Sequence, residues 1–127
     1  MREKKYDYKE LDVYKESKRL VTMVYALLKK FPKEEQYALC DQLRRAVISV
    51  PSNVAEGLGR YSAKEQVHFI EIAYGSLREV DCQLDIACDL NYISVEDMRD
   101  VQTQIARTGA LLSGVRSWRV EEKDPNR

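Results

Sequence analysis

Long stretches of this 127-residue chain carry apolar residues at steps of three and four, and only five glycines and three prolines interrupt them. That spacing returns side chains to one face of a helix, while no stretch alternates with the period of a strand. The chain is therefore restricted to helices that hide one face each. The first segment, about 10–31, places Leu11, Tyr14, Leu20, Val21, Val24, Leu27, Leu28 and Phe31 on such a face. Pro32 stops it, because the residue before a proline disfavours the helical conformation. Pro32 also suits the first turn of a second helix, in which Glu34 and Glu35 face the positive end of the dipole.

The second segment, 34–58, carries Leu39, Leu43, Ala46, Val47, Val50, Val54 and Leu58. Pro51 lies inside it and deprives the Val47 carbonyl of its donor. The stripe keeps its phase across the proline, so one helix kinked at Pro51 is expected, with Gly57 and Gly59 as its stop. Ser62-Ala-Lys-Glu65 is a capping box and opens a third helix over 63–91. That helix has two stripes. One contains Val67, Ile70, Leu77, Val80 and Leu84. The other runs Phe69, Ile72, Ser76, Glu79, Gln83 and Ile86, apolar at its ends and polar in its middle. Ser94 caps a fourth helix over 95–118, with Val95, Met98, Val101, Ile105, Leu112 and Val115 inward. Residues 121–127 read as a flexible tail. The expected fold is an all-α, antiparallel, up-down-up-down four-helix bundle, one domain over 1–120. Its apolar stripes exceed what one four-helix core needs, so part of them is expected to face another copy.

Charge is balanced overall, with 21 Lys/Arg against 21 Asp/Glu. Such balance argues against a general polyanion binder. Locally it is uneven: residues 1–33 hold ten basic and five acidic side chains, whereas residues 62–93 hold two and six. Lys4, Lys5, Lys9, Lys15, Lys18 and Arg19 are candidate contacts for nucleic acid, with Tyr6, Tyr8 and Tyr14 interleaved as stacking surfaces. Arg44 and Arg45 are further candidates. Asp81, Asp85 and Asp89 form an acidic ridge, read as a solvated face or a contact between copies. The three cysteines, Cys40, Cys82 and Cys88, contain no CxxC pair, and the first ten residues are polar. These features lead us to expect a reduced, cytoplasmic setting and no membrane span.

Catalytic patterns are lacking: there is no Gly-rich phosphate loop, no G-x-S-x-G and no Cys/His pair suited to nucleophilic attack. Glu65-x-x-His68 has di-iron spacing, but His68 is the sole histidine. No metal or cofactor is expected, and the chain reads as a non-enzyme. Arg44, Arg45, Asn53, Glu56, Ser76 and Glu79 form a candidate structural polar network. In it, one arginine is expected to meet Glu79 or Glu56 in a partly buried ion pair. Gly75 lies mid-helix, where glycine costs about 1 kcal/mol relative to alanine. Close helix packing is the expected compensation there, and also at Gly109 and Gly114.

Four ordered words carry a resemblance: F-P-x-x-E at Phe31–Glu35, Q-L-R-R at Gln42–Arg45, S-N-V-A-E-G at Ser52–Gly57 and G-S-L-x-E at Gly75–Glu79. Over residues 10–118 the chain resembles the bacterial four-helix-bundle proteins encoded in intervening sequences of large-subunit ribosomal RNA genes, sometimes labelled small ribosomal proteins. The resemblance implies an antiparallel bundle assembled into a ring, typically a pentamer, with a poorly defined molecular function. The fold is also similar to accessory proteins of diversity-generating retroelements, which are basic pentamers that bind nucleic acid and a reverse transcriptase. The expected function is a homo-oligomeric scaffold or adaptor that binds structured RNA or a nucleoprotein through a basic rim. Its rival is a protein-only module, such as an accessory subunit of a nucleic-acid enzyme.

Overall fold

The computed structural model describes the backbone of residues 7–123 and the side chains of residues 7–119. Four α-helices lie among them: α1 (Asp12–Leu28), α2 (Leu39–Leu58), α3 (Ala63–Asp89) and α4 (Val95–Lys123). Each packs on the next and α1 closes against α4, so the core lies along the axis of an all-α bundle. Leu20, Val24, Leu43, Val47, Val50, Val54, Ile70, Val80, Leu84, Val101 and Leu112 are fully enclosed there. They are the periodic positions of all four segments.

Helix ends depart from the expected ranges for identifiable reasons. At the end of α1, Lys29, Lys30 and Phe31 donate to carbonyls three residues back. The chain tightens before Pro32, so α1 ends at Leu28 instead of near residue 31. Helix α2 begins at Leu39, not at residue 34. Residues Lys33–Glu35 form a separate 3-10 turn. The Glu35 carboxylate accepts the Leu39 N–H at 3.4 Å and the Tyr92 hydroxyl at 2.8 Å. That side chain thus bonds the first N–H of α2 and, at the same time, a tyrosine 57 residues away. Bonding to Glu35 holds the Tyr92 phenol above its ordinary pKa.

Helical conformation continues on both sides of Pro51, which is buried within α2. Two residues on, the Asn53 amide donates to the Ser49 carbonyl at 2.8 Å and to its hydroxyl at 2.9 Å. Gly57 is a helical residue and not a stop; Gly59 alone caps the helix. Ser62 accepts the Glu65 N–H at 3.1 Å, completing the forward half of the capping box.

Helix α3 ends in a motif that periodicity does not show. Asn91 has φ 65°, the Tyr92 N–H reaches the Ala87 carbonyl and the Asn91 N–H reaches that of Cys88. This is a Schellman ending with asparagine in the left-handed position. The reciprocal box at α4 is complete: Ser94 accepts from the Asp97 N–H at 2.9 Å and Asp97 accepts from the Ser94 N–H at 3.2 Å. Val95, expected inward, is 61% exposed, because Ile93 and Met98 take the inward places on either side. Helix α4 also continues to Lys123, so residues 121–123 are helical, not tail.

Gaps in the apolar stripes are filled by small hydroxyls. Ser17 and Thr108 are fully buried and satisfy themselves on the carbonyls of Val13 (2.6 Å) and Gln104 (2.9 Å). Gln104 in turn donates to the carbonyl and carboxylate of Glu16, at 3.0 and 2.8 Å, and so ties α4 to α1.

The helix endings can be tested by substitution and by acid. Asn91→Val should lower stability by about 1–2 kcal/mol, the cost of a left-handed branched residue, whereas Asn91→Gly should be neutral or slightly stabilising. Urea unfolding of both variants checks this; equal losses would remove the left-handed cap from the account. At α4, Lys30, 2.8 Å from Asp97, and the Ser94 N–H hold the Asp97 carboxyl below its usual range. The folded state binds that proton less readily than the unfolded chain, whose carboxyl titrates near about 3.9. The contribution is therefore complete above that value and lost as pH falls through the lower folded one. Melting temperature should fall less steeply with acid in Asp97→Asn than in the parent below about pH 4. Parallel curves between the two would contradict it.

Candidate functional site

Two surfaces collect the polar residues singled out in the sequence. The first is the outer side of α1. Lys15, Lys18 and Arg19 are exposed there, and Lys9 is exposed in the turn before the helix. Lys4 and Lys5 lie outside the described residues. Lys18 Nζ stands 5.4 Å from the centre of the Tyr14 ring, and Tyr14 meets Tyr8 edge-on at 4.9 Å. Tyr8, Tyr14 and Lys18 line a groove of about 470 Å³ between α1 and α2, together with Val21, Ile48 and Pro51.

The arginine of the set is drawn elsewhere. Arg19 lies 3.7 Å from Glu16, and Arg107 of α4 lies 3.7 Å from the same carboxylate. The Gln104 hydrogen bond, aided by both guanidinium groups, holds Glu16 below its ordinary pKa. Lys15 and Lys18 make no ion pair among the described residues.

The second surface is the groove of about 470 Å³ between α2 and α3, lined by Gln42, Arg45, Ser49, Ser76 and Glu79. Ser49 and Ser76 share a hydrogen bond of 2.8 Å across it. The network thus unites Ser49, Asn53 and Ser76, but not through the expected ion pair. Arg44 is held by Asp41 at 2.8 Å and reaches the Gln36 carbonyl at 3.4 Å. Glu56 pairs with Arg60 at 2.7 Å. Both therefore find their ion-pair partners three or four residues away in sequence, where a helical chain brings side chains within reach. Glu79 accepts instead from Gln83 Nε2 at 3.2 Å, and the same amide donates to Gln42 at 3.1 Å. Arg45 remains exposed with no ion pair among the described residues. Gln42 and Gln83 are the members that the arginine-centred reading missed; the Glu79–Gln83 step of four was the available signal. Arg45 and Lys18 face different grooves, so the candidate basic residues do not form one patch.

Of the acidic ridge, Asp85 and Asp89 are exposed and Asp81 half-buried. Among the described residues no three His, Cys, Asp or Glu side chains converge as metal ligands. Cys40 is buried, which pushes its thiol pKa up, while Cys82 is exposed and Cys88 half-buried. No helix among the described residues is long and apolar enough to cross a membrane.

The model of the 23S rRNA-intervening sequence protein family matches residues 9–114. The chain belongs to that family. A solved structure, described as a protein with unknown function from the S23 ribosomal protein family of Bacteroides thetaiotaomicron, is similar in fold. Its TM-score is 0.76 at 18% identity, over 82% of this chain and 97% of that one. No curated protein matches.

In this intervening-sequence protein the close helix contact lies at Gly57, not at Gly75. A Cβ on Gly57 would stand 2.9 Å from Phe69 Cβ and 3.2 Å from the Gln66 carbonyl, whereas one on Gly75 or Gly114 would meet nothing within 4 Å. Gly109 is intermediate, with Leu77 at 3.4 Å. Gly57→Ala should therefore destabilise by about 1–3 kcal/mol through overpacking. Gly75→Ala should stabilise the isolated chain by up to about 1 kcal/mol. Chemical denaturation of the two variants reads both signs, and a destabilised Gly75→Ala would contradict the open space seen there.

Proposed function

We propose that this chain is a non-enzymatic, self-associating scaffold that holds structured RNA, or a nucleoprotein, against the outer side of α1. The observation that carries the reading is the pair Lys15 and Lys18, both exposed and without ion pairs among the described residues, beside a groove walled by Tyr8 and Tyr14. Ammonium groups that hold no carboxylate have no ion pair to give up on meeting phosphate, and they gain from counterion release. The tyrosine rings add surface on which an unpaired base can stack. One protomer offers few such groups, and the chain has no net charge to add long-range attraction. Repetition of the face in an assembly supplies avidity. Membership in a family named for ribosomal RNA intervening sequences is compatible with an RNA partner.

The test is a titration of a structured RNA with the sized protein at two salt concentrations, beside Lys15→Ala/Lys18→Ala/Arg19→Ala. The parent should bind more weakly as salt rises. The variant should bind at least tenfold more weakly, with a salt slope shallower by about one for each phosphate that no longer meets a cation. Its melting temperature should stay within a few degrees, since all three side chains are exposed. No binding by the parent at low salt would end this reading. It would leave a module that works through protein partners, such as a subunit of a nucleic-acid enzyme.

A further inference from the structure

Helix α1 repeats one pairing along its outer side. Tyr14 and Lys18 stand four residues apart, and so do Tyr25 and Lys29. The second pair follows the first by eleven residues. That is three helical turns, so both pairs lie on one side of the helix, about 16 Å apart. The grooves beside them are continuous. Val21 and Thr22 line both the groove of about 470 Å³ that holds Tyr8, Tyr14 and Lys18 and a second of about 380 Å³ that holds Tyr25 and Lys29. No acidic side chain lines either one among the described residues. Lys18 and Lys29 are exposed and make no ion pair among the described residues. Tyr25 is 39% exposed, with no other ring against it among the described residues.

We propose that this track takes an unpaired strand of RNA, with bases against Tyr14 and Tyr25 and phosphates at Lys18 and Lys29. The proposal rests on the RNA reading above and names the part of the RNA that is held, a single strand and not a duplex. The occupant follows from the alternation of rings and ammonium groups. A ring with an amine one turn away matches a nucleotide, which carries a flat base beside an anionic phosphate. In a duplex the base faces are covered by their neighbours, and a protein meets mainly phosphate and sugar. Two tyrosines on the track would then have nothing to stack on. An acidic peptide would use the lysines and likewise leave the rings idle. A stacked strand rises about 3.4 Å per nucleotide, so about five nucleotides cover both pairs.

The test is fluorescence anisotropy with a labelled RNA of about twelve nucleotides, more than twice the track. It carries no self-complementarity and is titrated alone and annealed to its complement. The parent should bind the single strand at least tenfold more tightly than the duplex. Tyr25→Ala should weaken single-strand binding about fivefold or more, the loss of one stacked base, and leave duplex binding unchanged. Tyr25→Phe, which keeps the ring, should bind like the parent. Lys29→Ala should weaken binding and make the salt slope shallower by about one. Tyr37→Ala removes a tyrosine that is 88% exposed outside the track and should change nothing. Thermal melts check that each variant folds; should Tyr25→Ala fail to, Tyr25→Leu makes the same comparison without a ring. Equal affinity for the two forms, or Tyr25→Ala that binds like the parent, would overturn the proposal. So would a structured RNA that binds when the single strand does not. In each of these cases the RNA reading stands if Lys15→Ala/Lys18→Ala/Arg19→Ala still weakens binding of the structured RNA. Binding of no RNA at low salt would end both.

Discussion

Helix α2 places Leu43, Val47, Val50 and Val54 at zero exposure, and the rest of the bundle is arranged around that packing. At its last turn Gly57 comes so near α3 that even a methyl group would collide with Phe69. This approach brings the end of α2 onto the start of α3 and lets a four-residue connection, 59–62, reverse the chain. The turn is then tied by polar groups: Gln66 Nε2 donates to the Arg60 carbonyl at 2.6 Å, and the Arg60 guanidinium lies 4.8 Å from the Phe69 ring centre. Apolar burial supplies the free energy. The missing side chain at Gly57 sets how closely the two helices lie.

At the opposite end of the bundle the ties are long-range and polar. Glu35 joins the start of α2 to Tyr92, and Lys30 joins the end of α1 to the capping box of α4 through Asp97. Gln104 and Glu16 join α1 and α4 further along. Exposed ion pairs contribute little singly. These three involve partly buried carboxylates that also accept from backbone or amide donors, so they fix the position of one helix along another. The pairs that remain fully on the surface, such as Glu56–Arg60, do not carry the fold.

The bundle separates its two candidate surfaces by helix α2. Toward α1 it presents a groove with Lys18 beside Tyr8 and Tyr14, and toward α3 a groove with Arg45 and Glu79 beside the Ser49–Ser76 hydrogen bond. A net charge of zero conceals this division, because Lys15 and Lys18 hold no carboxylate among the described residues while other bases, such as Arg44 and Arg60, are paired. A face that presents unpaired amines differs chemically from one whose cation and carboxylate lie in the same groove.

Helix number, core membership and two helix starts were legible from residue spacing, since a helical period and a capping box are local properties. The four words over residues 31–79 also sufficed to place the chain in its family. The Gln42–Gln83 and Glu16–Gln104 contacts, the start of α2 and the exposure of Val95 were not legible. Each depends on how far one helix is rotated and slid against its neighbour. Glu35 meets Tyr92 only in the folded bundle, and Gly57 instead of Gly75 is the tight approach because its backbone faces Gln66 and Phe69 of α3. Spacing along the chain determines which faces of a helix are apolar. Only packing decides which polar atoms those faces bring within hydrogen-bond reach, because a bond of about 3 Å is broken by a shift far smaller than one helical turn.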